Sequence, residues 1–275
     1  MKRKCLTVLV LGILPLLYGP STAVAQPLSS FAVLGGSTVT NTSTPTIVDG
    51  NLGVSPGSAV TGFPPGIVVN GSIHAADSVA AQAQTELTTT YNSLASAPCN
   101  TDLTGQDLGG LTLTPGVYCF STSAQLTGTL TLDAQGNSGA VFIFKIGSTL
   151  TTASASSILL INSASSCGVF WQIGSSATLG TGTALAGSIV ALTSITLNTG
   201  ASLNGRALAR NGAVTLDDNQ VTVCVGGPGV PPSVVAVPTL SGWAMIALTG
   251  LLVLFGLAVL RRRATPTTMA GTPSQ

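Results

Sequence analysis

The chain has 275 residues, of which 45% are hydrophobic, 4% aromatic and only 6% charged, with a formal net charge of +1. Charge this scarce lies far below the quarter usual in soluble domains, and apolar content this high argues against disorder. Between Gln26 and Ala236 only Lys145, Arg206 and Arg210 oppose all eight acids, a balance of −5 that leaves no electrostatic footprint for nucleic acid.

Residues 1–25 read as a secretory signal peptide. Lys2, Arg3 and Lys4 precede an apolar run from Cys5 to Leu17, and Ala23-Val24-Ala25 supplies a small-residue cleavage site. The exported domain is residues 26–225. It opens with FAVLGGSTVTNT and DGNLGVSPGSAVTGFPPG, short strand-like pieces separated by Gly, Pro and Asn turns. Residues 77–96 predict the one long helix. Asp77 is placed to N-cap it, Val79, Ala83, Leu87, Tyr91 and Leu94 keep helical spacing, and Pro98 stops it. Residues 97–121 are loop-rich and suited to cap the open end of a β-stack, which otherwise invites edge pairing.

From Leu126 to Val225 the pattern becomes periodic. Thr183 to Asn219 splits after Gly200 into two turns, and Leu185, Gly187, Ile195 and Leu197 align with Leu203, Gly205, Val214 and Leu216. Each turn has three short pieces, which suits a three-sided β-coil with Gly, Asn or Ser corners. Stacking one side of each turn on its aliphatic residue gives an inward file of Val39, Leu126, Leu150, Leu179, Leu197 and Leu216. The residues just before these, which point the opposite way, are Thr38, Gln125, Thr149, Thr178, Thr196 and Thr215. The two columns after them contain Thr40, Thr127, Thr151, Gly180, Asn198 and Asp217, then Asn41, Gly128, Thr152, Thr181, Thr199 and Asp218. One face is thus expected to carry files of Thr.

Residues 226–237, rich in Gly, Pro and Val, read as a linker. Beyond them Val237-Pro238-Thr239-Leu240-Ser241-Gly242-Trp243 leads into the apolar run Ala244 to Leu260 and the cluster Arg261-Arg262-Arg263, followed by a polar tail over 264–275. This arrangement resembles the IPTL-type C-terminal sorting signals, in which a Pro-Thr-Leu motif precedes a membrane helix and a basic end. It departs in having Val237 in place of Ile and no acid before Trp243. The resemblance implies a membrane sorting protease that removes the tail and passes the protein to the cell surface; the alternative is a plain C-terminal anchor.

Cys99, Cys119, Cys167 and Cys224 remain after signal removal, an even number that suggests two disulfides in an exported chain. Of three pairings the favoured one joins Cys99 to Cys119, closing a short loop, and Cys167 to Cys224, tying successive turns. With no CxxC pair and His74 the only histidine, no metal or other cofactor is expected.

The quoted runs, together with GVFWQIGSSATLGTGTALAGSIVALTSITLNTGASLNGRALARNGAVTLDDN, resemble the microbial ice-binding proteins with a discontinuous β-solenoid over about residues 28–225. The resemblance implies a mainly β fold: a right-handed triangular β-helix with one long α-helix packed alongside, a small capping segment, and a chain order that differs from the coil order. It also implies adsorption of a monomer to an ice crystal surface through one flat face, often with a Thr-Ala/Gly-x-Thr/Asn pattern. Here that pattern is sought in Thr199-Gly200-Ala201-Ser202, Thr181-Gly182-Thr183-Ala184 and Thr152-Ala153-Ser154-Ala155, whose fourth positions depart from it. The expected ice-contact residues are Thr149, Thr151, Thr152, Thr178, Thr181, Thr196, Asn198, Thr199, Ser202 and Thr215.

Physical reasoning supports such a surface. Neighbouring strands lie about 4.8 Å apart and alternate residues along a strand about 6.6 Å apart. Stiff Thr side chains therefore offer hydroxyls and methyls on a grid close to ice repeats. Thr also simply suits a solvent-facing strand, so a surface adhesin or matrix component is the alternative reading. A polysaccharide-processing β-helix enzyme is disfavoured, because the scattered acids form no cluster for acid–base chemistry. Asp217 and Asp218 read as a solvated corner, and Arg206 and Arg210 as surface or corner donors. Lys145 reads as projecting to solvent, and His74 as unpartnered near the helix start. Trp171, Phe170, Phe142 and Phe144 read as core or helix contacts.

Overall fold

Short alternating runs broken by Gly, Asn and Ser cannot make long strands. In the computed structural model, which describes residues 27–42 and 45–224, most strands are three to five residues long. Their ladders are parallel, and they form one seven-stranded and one fifteen-stranded sheet. The larger sheet is two tracks fused by the eight-residue strands Ala184–Ala191 and Ser202–Ala209. Their first halves pair with Ser157–Ile161 and Gln220–Thr222, their second halves with Val169–Ile173 and Phe31–Gly35. The crossing falls at Gly187 (φ 109°) and Gly205 (φ 156°), and a Cβ at Gly205 would lie 2.0 Å from the Gly187 carbonyl oxygen. Only glycine fits there.

Chain order and stacking order differ. Thr38–Asn41 pairs with Val214–Leu216, Ile47–Asp49 with Gln220–Thr222, and Phe31–Gly35 with Ser202–Ala209. The N-terminal residues therefore stack on the last coil of the chain. Residues 59–75 supply the outermost rung at that end, and Thr101–Asp102 and Thr112–Leu113 lie outermost at the other.

The alternation drives packing. Inward aliphatics such as Val39, Leu126, Leu150, Leu179, Leu197 and Leu216 are fully buried in one continuous core, each contributing about 1.5–3 kcal/mol. Phe144 and Trp171 stack in that core with ring centroids 4.0 Å apart, and Trp171 Nε1 donates to the Ala186 carbonyl at 2.9 Å. The helix α1 (Ser78–Ser96) covers one track. Ala83, Leu87 and Leu94 pack on Leu34, Phe170, Val190 and Leu208, so that track is buried on both sides. Asp77 caps α1, accepting from Ala80 N at 2.8 Å.

Three side chains differ from expectation. His74 has a partner: its Nδ1 lies 2.8 Å from Asp77 Oδ2. Lys145 does not point freely into solvent, since its Nζ donates to the Ala97 carbonyl at 2.6 Å just past the end of α1, where a cation suits the helix dipole. Arg206 is buried rather than at the surface. It donates to the Ser29 carbonyl and to Ser188 Oγ. Arg210 stacks over Tyr91 at 4.7 Å. Disulfides join Cys99 to Cys119 and Cys167 to Cys224, with Cα separations of 5.9 and 5.4 Å. The signal peptide, linker, sorting segment and polar tail lie outside the described residues. Among the described residues no helix is long and apolar enough to cross a membrane.

Candidate functional site

The seven-stranded sheet runs in the order Ala124–Leu126, Leu150–Thr152, Ala177–Leu179, Ile195–Leu197, Val214–Leu216, Thr38–Asn41 and Ala59–Thr61. In the first five strands one central residue turns outward between two inward ones, and in the last two Thr40 and Thr61 turn outward after the inward Val39 and Val60. The register makes these a single file: Gln125, Thr151, Thr178, Thr196, Thr215, Thr40 and Thr61. Six of its seven members are Thr. Backbone bonds from Ser148 to Thr122, Ser175 to Ser148, Thr193 to Ser175, Gly212 to Thr193 and Ser37 to Gly212 keep the preceding residues in step. Stacked four-residue windows result: TSAQ, STLT, SSAT, TSIT, GAVT, STVT and SAVT. The second position is always Ser, Thr or Ala, and none of the windows holds a charge.

The hydroxyls differ in their commitments. Those of Thr151, Thr178, Thr196 and Thr215 make no intramolecular hydrogen bond among the described residues, while Thr61 donates to Thr40 at 3.2 Å. In the flanking file, Ser176 Oγ accepts from Ser194 N and Ser194 Oγ accepts from Ala213 N, each at 3.3 Å. These serines clamp one rung to the next.

The register corrects several expected positions. Leu150 pairs with Ala177, so Thr151 is the file member and Thr149 sits two residues back, its hydroxyl 2.8 Å from Ser123 Oγ. Thr40 likewise replaces Thr38. Thr152 does not reach the surface: it is 3% exposed, and its hydroxyl meets Thr183 Oγ1 at 2.8 Å and accepts from Gly180 N. Thr199 is exposed, but its hydroxyl donates to Asp217 Oδ2 at 2.6 Å. Asn198 and Thr181 are exposed in the corner beyond the sheet, and Ser202 opens a strand of another track. The stacked windows depart from the Thr-Ala/Gly-x-Thr/Asn pattern too: Thr193-Ser194-Ile195-Thr196 keeps the first and fourth Thr with Ser in second place, while residues 199–202, 181–184 and 152–155 lie off this sheet's outward face. Thr61, Thr193, Ser194 and Ser176 lie on this face as well, and their signal in the sequence is the match of SAVT to STVT and TSIT.

The Ice-binding-like family model matches residues 33–222. The chain belongs to that family. An IPTL-CTERM motif matches residues 235–263, so the chain also carries this C-terminal sorting motif. An ice-binding protein of Nostoc sp. (strain HG1) is 65% identical over 203 residues, 74% of this chain and 74% of that one. The solved ice-binding protein from an Antarctic biological consortium is similar at a TM-score of 0.69 and 45% identity, over 72% of this chain and 89% of that one. The ice-binding protein of the Antarctic ascomycete Antarctomyces psychrotrophicus gives a TM-score of 0.70 and 40% identity, over 72% of this chain and 97% of that one. The matched region is therefore nearly a whole solved chain by itself.

Proposed function

We propose that this protein adsorbs to ice through the seven-stranded sheet. The observation that carries the reading is the unbroken, uncharged file of six Thr, four of them with hydroxyls that bond to nothing else among the described residues. Rungs spaced by about 4.8 Å and flanking residues about 6.6 Å along each strand make a two-dimensional lattice. Thr fixes χ1, so ordering water against it costs little side-chain entropy. Methyls favour caged water and hydroxyls anchor it. One chain supplies the complete lattice, so a monomer suffices. The proposed coil is three-sided, supported by one strand per turn on each of three tracks, and right-handed, as the family resemblance implies. The reading also includes export and surface display, with the sorting motif read by a membrane protease and residues 1–25 removed.

The test is ice-affinity partitioning and thermal hysteresis of residues 27–224. Thr178→Tyr or Thr196→Tyr is expected to lower ice adsorption at least roughly tenfold, about 1.4 kcal/mol, without a shift in melting. Leu159→Tyr, on another track, leaves adsorption unchanged. Equal loss from Leu159→Tyr, or none from either Thr variant, would remove the site from this sheet.

A further inference from the structure

Two residues before each member of the Thr file, and on the same face by the pleat, stand Ser123, Thr149, Ser176, Ser194, Ala213, Thr38 and Ala59. A serine in this second file has no β-branch, so its χ1 is not fixed as it is in Thr. Left alone, it would lose rotamer freedom when water orders against it. The backbone supplies what the branch does not. Ser123 Oγ accepts from Thr149 N at 3.4 Å, Ser176 Oγ from Ser194 N at 3.3 Å and Ser194 Oγ from Ala213 N at 3.3 Å. Each such bond fixes the oxygen yet uses only an acceptor site, so the O–H keeps its capacity to donate. The end rungs then differ from the middle. Ser123 Oγ lies 2.8 Å from Thr149 Oγ1, and Thr61 donates to Thr40 at 3.2 Å. In each of these pairs two hydroxyls share one bond and retain one donor between them. Ser176 and Ser194 enter no such pair among the described residues. They lie on the third and fourth of the seven rungs.

We infer that ice is held chiefly by a central block of four hydroxyls, Ser176, Thr178, Ser194 and Thr196, in which the two backbone-clamped serines are binding residues in their own right. The inference rests on the adsorption reading above and narrows it. The block is a rectangle of about 4.8 Å between rungs and about 6.6 Å along the strands. Its Thr corners are fixed by the β-branch and its Ser corners by the backbone bonds, so all four oxygens are placed before water arrives. Every corner also keeps a donor. The neighbouring rungs are poorer: Ala213 brings no hydroxyl beside Thr215, and the Thr149 hydroxyl beside Thr151 is shared with Ser123. Contribution to adsorption therefore falls from the middle of the sheet toward both ends, although Thr continues along the file to Thr61.

Ice-affinity partitioning of residues 27–224, scaled to the folded fraction from a melt of each sample, tests this. Ser176→Ala/Ser194→Ala is expected to lower adsorption at least roughly tenfold and to speed amide exchange at Ser194 and Ala213, which lose their acceptors. Ser176→Thr/Ser194→Thr keeps both hydroxyls and is expected to adsorb as the parent does. Ser123→Ala/Thr149→Val removes as many hydroxyls, and one clamp, from the end rungs; it is expected to change adsorption less than about twofold. Unchanged adsorption in the Ser-to-Ala variant, no recovery with Thr, or an equal loss in the end-rung variant would each overturn the inference. The two readings fail differently. A parent chain that does not enter ice removes both, whereas one that enters equally well with and without the two serine hydroxyls removes this inference alone.

Discussion

Thr151 and Thr152 are neighbours with opposite fates, and the pleat alone separates them. Thr151 faces out with an uncommitted hydroxyl; Thr152 faces in, and its hydroxyl joins Thr183 Oγ1 and Gly180 N. Removing a buried partner leaves the groups it served unsatisfied, at about 1–3 kcal/mol. Thr152→Val is therefore expected to lower stability by that amount in a urea melt while ice adsorption holds. Thr196→Val is expected to leave the melt within about 0.5 kcal/mol and to weaken adsorption. Sequence could show that Thr abounds and alternates with aliphatics, and it placed Thr178, Thr196 and Thr215 correctly in the file. It could not fix Leu150 against Ala177, because a strand carrying two aliphatic residues two apart can be aligned on either without changing which face is buried. A slip of two preserves the pattern and moves every site residue.

At the scale of elements, α1 shows how few side chains set a helix in place. Asp77 holds its N-terminus and Lys145 its C-terminal end. Both ends of the helix were legible, from Asp77 and from Pro98, but its partners His74 and Lys145 come from strands and carry no local signal. Burial pushes the Asp77 carboxyl up, but the Ala80 N–H and the His74 ring outweigh it and hold it below the ordinary aspartate value. Asp107 shifts the same way: burial raises it, and the Gly109 and Thr127 donors prevail. A depressed folded value means the stability is present above the unfolded value and is lost as pH falls through the folded one. Melts should hold from neutrality down to about pH 4 and then drop. Asp77→Ala should cost about 0.5–2 kcal/mol at pH 7 and make the acid-side drop shallower. An unchanged acid limb in that variant would show that the carboxylate contributes nothing there.

For the whole molecule, the decisive feature is that residues 31–75 stack on residues 202–222. The repeat unit could be read from Thr183 to Asn219 because its two turns are adjacent in sequence and pair residue for residue. The return of the N-terminal strands could not be read from period alone, since any turn with small outward residues fits above any other; here only the family resemblance implied it. The rung that joins the two parts ends at Cys224, bound to Cys167 across 57 residues. In the chain-entropy account a loop of that size stabilises by about 4 kcal/mol. The bridge also holds the last rung, on which the N-terminal rungs rest, so its loss should act on both. Cys167→Ser with Cys224→Ser is expected to lower the urea midpoint by that energy. It should also speed amide exchange in Ile47–Asp49 and Thr38–Asn41 before the strands near Phe142–Ile146 respond, because the former lose the neighbour beneath them while the latter keep theirs. The Cys99–Cys119 bridge closes a loop of only 20 residues, so Cys99→Ser with Cys119→Ser is expected to lose less, with exchange rising at the end of α1 and the Thr file untouched. If the two double variants exchange alike, the stack does not depend on its last rung in the way the pairing implies.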